Sequence, residues 1–138
     1  MIVPAHGPHR EKVFALLGAI GDLTAGDGEA PPSPHEAVPY AILYPYLARY
    51  DGPVADIHAD LDYMVHIRSV GGTQAQAEDA ADRVRAAMLP ADLAPAGRVM
   101  RGPVTVTSLR PVHRDDDARL ASPLWTVDDL YTVPTTPG

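Results

Sequence analysis

Between Ile57 and Val70 apolar and polar residues alternate almost without a break. Leu61, Tyr63, Val65 and Ile67 fall on one side, and Asp62, Met64, His66 and Arg68 on the other. A period of two belongs to a strand with one face buried, so this segment predicts the best strand of the chain. Directly afterwards the period changes. In GGTQAQAEDAADRVRAAML the residues Ala77, Ala80, Ala81, Val84, Ala87 and Met88 recur at helical spacing, and Thr73 with Gln76 matches a capping box. The stripe is mostly alanine. Such a helix gains little per side chain, at about 25 cal/mol for each Å² removed from water, and has to approach its sheet closely to compensate. A second helix is predicted over 8–20, where Val13, Leu16, Leu17 and Ile20 repeat, Pro8 suits a first turn and Gly21 a stop.

The remaining segments are read by composition. VPYAILYPYL (38–47) is rich in strand formers, but Pro39 and Pro45 remove two ladder donors and point to an edge strand. A third strand is expected over 97–112, interrupted at Gly102 and Pro103, and a fourth over 123–134. Residues 21–37, with three glycines and three prolines, are read as a long loop, and 111–122 as a second reach element at a hairpin. The order α-β-β-α-β-β then predicts a single α+β domain over 1–138. Its four-stranded sheet would carry two helices packed on one face, the second helix crossing between two hairpins.

Composition narrows the function classes. With 138 residues, 46% hydrophobic and 21% charged, the chain is long enough for one ordinary core. It has no cysteine, which removes disulfides, zinc thiolates and cysteine nucleophiles. No run approaches the roughly 18 apolar residues of a membrane span, and no basic region followed by an apolar stretch opens the chain, so a soluble protein without membrane or export signal is expected. A net charge of −7 argues against a protein that grips phosphate backbones. One lysine against ten arginines, with abundant Ala, Pro and Gly, reflects GC-rich coding rather than chemistry.

Candidate chemistry is sparse. DIHADLD (56–62) places Asp56, His58, Asp60 and Asp62 on one side of an extended chain, a donor set that suits zinc or manganese and a metal-activated water. The same four residues also suit the solvated start of an amphipathic strand, which is the more ordinary explanation. RPVHRDDDARLASP (110–123) sets Arg110 and Arg114 before Asp115, Asp116 and Asp117. It lacks the spaced ligands, glycine and closing glutamate of a calcium loop, so it reads as a solvated hairpin tip or a clamp onto an arginine of a neighbouring copy. His6 and His9 are assigned to a frayed or docked amino terminus, and His35, His66 and His113 are scattered singly. There is no nucleophile elbow and no phosphate loop, and SVGGT reads as a tight strand-to-helix turn.

One resemblance covers most of the chain. The succession PYAILYP, DYMVHIRSVGGTQAQAEDAADRVRAAML, GRV, RPVHRDDD and PLWTVDDLYTV resembles the tail terminator proteins of long-tailed phages, especially those of actinobacteria. The resemblance implies a non-enzymatic virion protein without cofactor, assembled in the host cytoplasm and placed at the tail-neck junction. It implies a homo-oligomer, a ring of six copies, that caps the tail tube and ends its polymerisation. The partners would be the major tail tube protein and the head-closure or connector protein, with genomic DNA passing non-specifically through the lumen. Under this reading Arg110, Arg114, Asp115, Asp116, Asp117, Asp56 and Asp60 are the interface or channel candidates, and acidic walls let a polyanion slide. The alternatives are another neck or tube component, or a small metal-dependent hydrolase built on Asp56, His58 and Asp60.

Overall fold

The alternating segment lies at the centre of a sheet. In the computed structural model, which describes residues 6–50, 60–115 and 123–138, β3 runs from Leu61 to Gly71 with Leu61, Tyr63, Val65, Ile67 and Ser69 buried and Asp62, Met64, His66 and Arg68 half-buried. The expected strand start at Ile57 lies outside the described residues, and Asp60 precedes the strand. β3 pairs antiparallel with β2 (Tyr40–Tyr50) on one side and with β6 (Leu124–Pro137) on the other, so Arg68 stands between Ile42 and Asp128. β5 (Thr105–Asp115) and β4 (Arg98–Met100) both pair antiparallel with the remaining edge of β6, and β1 (Thr24–Asp27) adds in parallel to β2.

Among the described residues the sheet therefore has six strands, where the sequence predicts four. Two physical causes account for the difference. Gly102 and Pro103 divide the expected third strand into β4 and β5, which run one after the other along β6. The strand β1 lies inside the segment read as a loop at 21–37, which also contains the single-turn helix α2 (Pro34–Ala37). β1 has no periodic side-chain pattern, because backbone bonds hold it: Thr24 N–H donates to Pro39 O at 3.3 Å and Gly28 N–H to Leu43 O at 2.8 Å. β2 is accordingly an inner strand over Tyr40–Leu43, and Pro45 falls where its pairing with β3 shifts register. The reach element at 111–122 is corrected likewise: 111–115 belong to β5, held against the aromatic start of β6 with Arg114 opposite Trp125.

Both expected hairpins form, β2 with β3 and β5 with β6. Because β6 inserts between β3 and β5, the helix α3 (Gln74–Met88) crosses over a strand that comes later in the chain, a split βαβ arrangement. The start of α3 follows the capping rule. Thr73 Oγ1 accepts from Gln76 N–H at 3.1 Å, and Gln76 Oε1 accepts from Gly72 N–H at 2.7 Å. Gly71 is fixed by space, since a Cβ there would lie 2.4 Å from the Ala77 nitrogen. Buried Ala77, Ala80, Ala81, Val84 and Met88 form the α3 stripe, and Ala87 is half-buried at its margin.

The helix α1 (His6–Gly18) joins α3 on the same face, and Val13 and Leu17 enter a cluster with Leu43, Val65, Ile67, Val84, Met88 and Tyr131. It starts two residues earlier than predicted, with Pro8 still in its first turn. The docked end is anchored by buried His9, whose ring stacks on Tyr63 with centroids 5.3 Å apart and whose Nε2 lies 3.0 Å from Thr135 Oγ1. The opposite face of the sheet has a smaller apolar cluster, Tyr40, Ile42, Val70 and Leu124, covered by Ala37 and Val38 next to α2.

Candidate functional site

Three clusters of charged residues in the described chain are built on strand geometry. The first contains the visible part of DIHADLD. Asp60 and Asp62 are both met by Arg101, which leaves the corner between β4 and β5: its Nη1 lies 3.4 Å from Asp60 Oδ2 and its Nη2 donates to Asp62 Oδ1. Thr136 Oγ1 donates to the other Asp60 oxygen. Asp60 and Asp62 thus both meet a cation of their own chain and stay partly exposed. Asp56 and His58 lie outside the described residues. Among the described residues no three His, Asp or Glu side chains come together in a group that could hold a metal.

The second and third clusters arise from one dipeptide. Asp128 and Asp129 sit side by side in β6, so their side chains leave opposite faces of the sheet. On the face away from α3, fully buried Asp128 Oδ1 is 2.5 Å from His66 Nε2 and accepts from Arg68 Nε at 2.9 Å. The Tyr44 ring lies 5.5 Å from the His66 ring. On the helix face, buried Asp129 accepts two bonds from Arg85 of α3, Nε to Oδ2 at 2.9 Å and Nη2 to Oδ1 at 2.6 Å. This two-pronged hydrogen bond raises the Arg85 pKa above its ordinary value. Tyr131, two residues on and on the same face, has its phenol pKa pushed up by burial and then by the Asp129 charge.

β5 carries the other predicted candidates. Backbone register sets Arg110 opposite Asp128, Arg114 opposite Trp125 and Asp115 opposite Leu124, where β5 ends; Arg114 is exposed. Asp116 and Asp117 lie outside the described residues. The structure does not bring the predicted set together. Asp60 lies at the Thr136 end of β6 and Asp115 at the Leu124 end, twelve residues apart in one strand, or about 40 Å at the usual rise.

The residues missed from sequence are Asp128, Asp129 and their partners His66, Arg68 and Arg85. A signal for them exists. Two adjacent carboxylates in the middle of the apolar run LWTVDDLYTV must occupy both faces of a strand, and a buried carboxylate requires a cation on each. His66 and Arg68, on the alternate face of β3, were legible as one half of that requirement.

Beside α3, the third cluster borders an open groove of about 430 Å³ between the helix and β5. Its floor is Ala81, Val112 and Val127, and Gln74, Glu78 and Asp82 stand at its mouth with Arg85 at one wall. None of the helices is long and apolar enough to cross a membrane, among the described residues.

No protein-family model matches the chain, and no curated protein matches it. Among solved structures, the fold is similar to that of a chain in the virion of a native gene transfer agent (GTA) particle, with a TM-score of 0.50 and 18% sequence identity. The correspondence covers 95% of this chain and 93% of that one, so the two share an architecture from end to end.

Proposed function

We propose that the protein is a non-enzymatic structural component of a virion, and within that class a tail terminator. Six copies would form a ring that caps the tail tube, stops its growth and joins the tail to the head-closure or connector protein, with genomic DNA passing through the opening. The observation that carries the reading is the nearly complete, two-way fold correspondence with a virion chain. The succession of motifs from PYAILYP to PLWTVDDLYTV supports the finer assignment, and the net charge of −7 suits a wall past which a polyanion must slide.

The internal ion pairs favour a structural role over the hydrolase alternative. Asp60, the described member of the set Asp56, His58 and Asp60, is already bound to Arg101 and Thr136. A second reading, another neck or tube component of the same virion, rests on the same fold correspondence and differs in what the ring does. The test is polymerisation of the cognate major tail protein with and without this chain, followed by negative-stain microscopy and native mass spectrometry. Tubes of limited length bearing a ring of six copies at one end are expected. Tubes that elongate unchanged with this protein in excess would overturn termination, and copies incorporated along the whole tube would favour the tube-component reading.

A further inference from the structure

The two helices do not cover the sheet evenly. α1 rests on β1 and β2, and α3 on β3 and β6 with only a margin on β5. In the strand order β1-β2-β3-β6-β5, the helical layer is therefore flush with one edge and stops short of the other. The shortfall is the groove of about 430 Å³ whose floor of Ala81, Val112 and Val127 continues a small apolar cluster with Ala77 and Trp125. A layer missing its last helix leaves apolar surface that the described residues of the chain do not fill.

The opposite flank has the complementary feature. Phe14, the only phenylalanine of the chain, is 36% exposed on α1. One turn before it, at i−4 on the same side of the helix, Arg10 pairs with Asp27 of β1, which sets this side of α1 toward the outer edge strand and away from α3. The Asp27 pair occupies one terminal nitrogen of a guanidinium that has five N–H donors, and Arg10 is still 40% exposed. The groove mouth carries the exposed carboxylates Glu78 and Asp82. An apolar knob beside a cation thus lies on one flank, and an apolar floor beside two carboxylates on the other.

We infer that the groove between α3 and β5 receives the α1 flank of a second copy of this chain, Phe14 seating on Ala81, Val112 and Val127 and Arg10 facing Glu78 and Asp82. The contact is heterologous, since knob and groove occupy different places on each subunit, and repetition of such a contact closes a ring or extends a filament. The incoming helix completes the layer over β5, burying an aromatic side chain that water now reaches. The inference rests on the ring reading and specifies which surfaces make the ring.

The absence of cysteine gives a direct test. Two single variants of the full chain, Phe14→Cys and Gln74→Cys, are oxidised alone and mixed under ring-forming conditions. Disulfide-linked dimers are expected only in the mixture, and the double variant should give a ladder of linked copies ending at the ring size. Phe14→Asp, a change at an exposed position, should leave thermal unfolding unchanged while reducing the ring population at least tenfold in native mass spectrometry. Rings that form normally with Phe14→Asp, or whose mixed variants do not cross-link, would overturn this interface and leave the ring reading intact. A wild-type chain that stays monomeric with tube protein present would overturn both.

Discussion

Asp128 and Asp129 differ by one position and occupy two different environments. On the helix face Asp129 has one cation, Arg85, gripped at both oxygens, with Tyr131 and the main core beside it. On the opposite face Asp128 is shared between His66 and Arg68, both part-exposed, at the border of a smaller cluster. One face thus depends on a single bidentate bond, whereas the other divides its carboxylate between an imidazole and a guanidinium. A buried carboxylate with one partner loses all of its compensation when that partner is removed. A carboxylate with two loses only part of its compensation.

The largest effect expected is that of Val84→Asp, which places an unpaired charge where α3 meets the sheet; a loss above about 4 kcal/mol would abolish the cooperative transition in urea. A soluble variant with a normal midpoint would show that the helix face is not the main core. Next is Arg85→Met, which keeps the apolar stem and removes the charge. It leaves Asp129 buried alone and should cost about 3 kcal/mol by urea denaturation. Arg68→Met, with His66 still beside Asp128, should cost about 1–2 kcal/mol. Equal losses in these two variants would break the distinction between a single and a shared cation.

Alkaline titration sharpens the same contrast. Burial raises the Tyr131 and Tyr63 phenols above their ordinary value of 10.0, so the folded state favours the neutral form. The stabilisation is complete below pH 10 and is lost as pH rises above it toward the folded values, because the unfolded chain ionises first. Tyr131→Phe should therefore flatten the fall in thermal midpoint above pH 10, and an unchanged slope would show that this phenol does not control it. The smallest effect belongs to the exposed Arg83–Asp79 pair on α3. Asp79→Ala should change stability by no more than about 0.5 kcal/mol, measured in the same urea series.

Much of this architecture was readable in advance because it depends on side-chain period. β3 alternates, α3 carries its alanine stripe and its Thr73 cap, and the break at Gly102 and Pro103 separates β4 from β5 as the backbone chemistry of those residues requires. β1 was not readable. Its four residues, TAGD, have neither period nor strand formers in number, and their conformation comes from carbonyls and amides of β2 that lie up to sixteen residues away. The ion pairs of DIHADLD were not readable for a similar reason: Arg101, which meets Asp60 and Asp62, is about forty residues further on, and no local pattern joins them.

The order of residues by itself determined the α+β class, the two long helices, both hairpins and the absence of cysteine chemistry, since each follows from local period or from composition. Only the tertiary structure decided that β6 inserts between β3 and β5, that Asp128 and Asp129 find separate cations, and that α3 leaves one edge of the sheet uncovered. Those outcomes depend on contacts between segments distant in the chain, where the gain from burial and charge pairing becomes available only once the strands are in register.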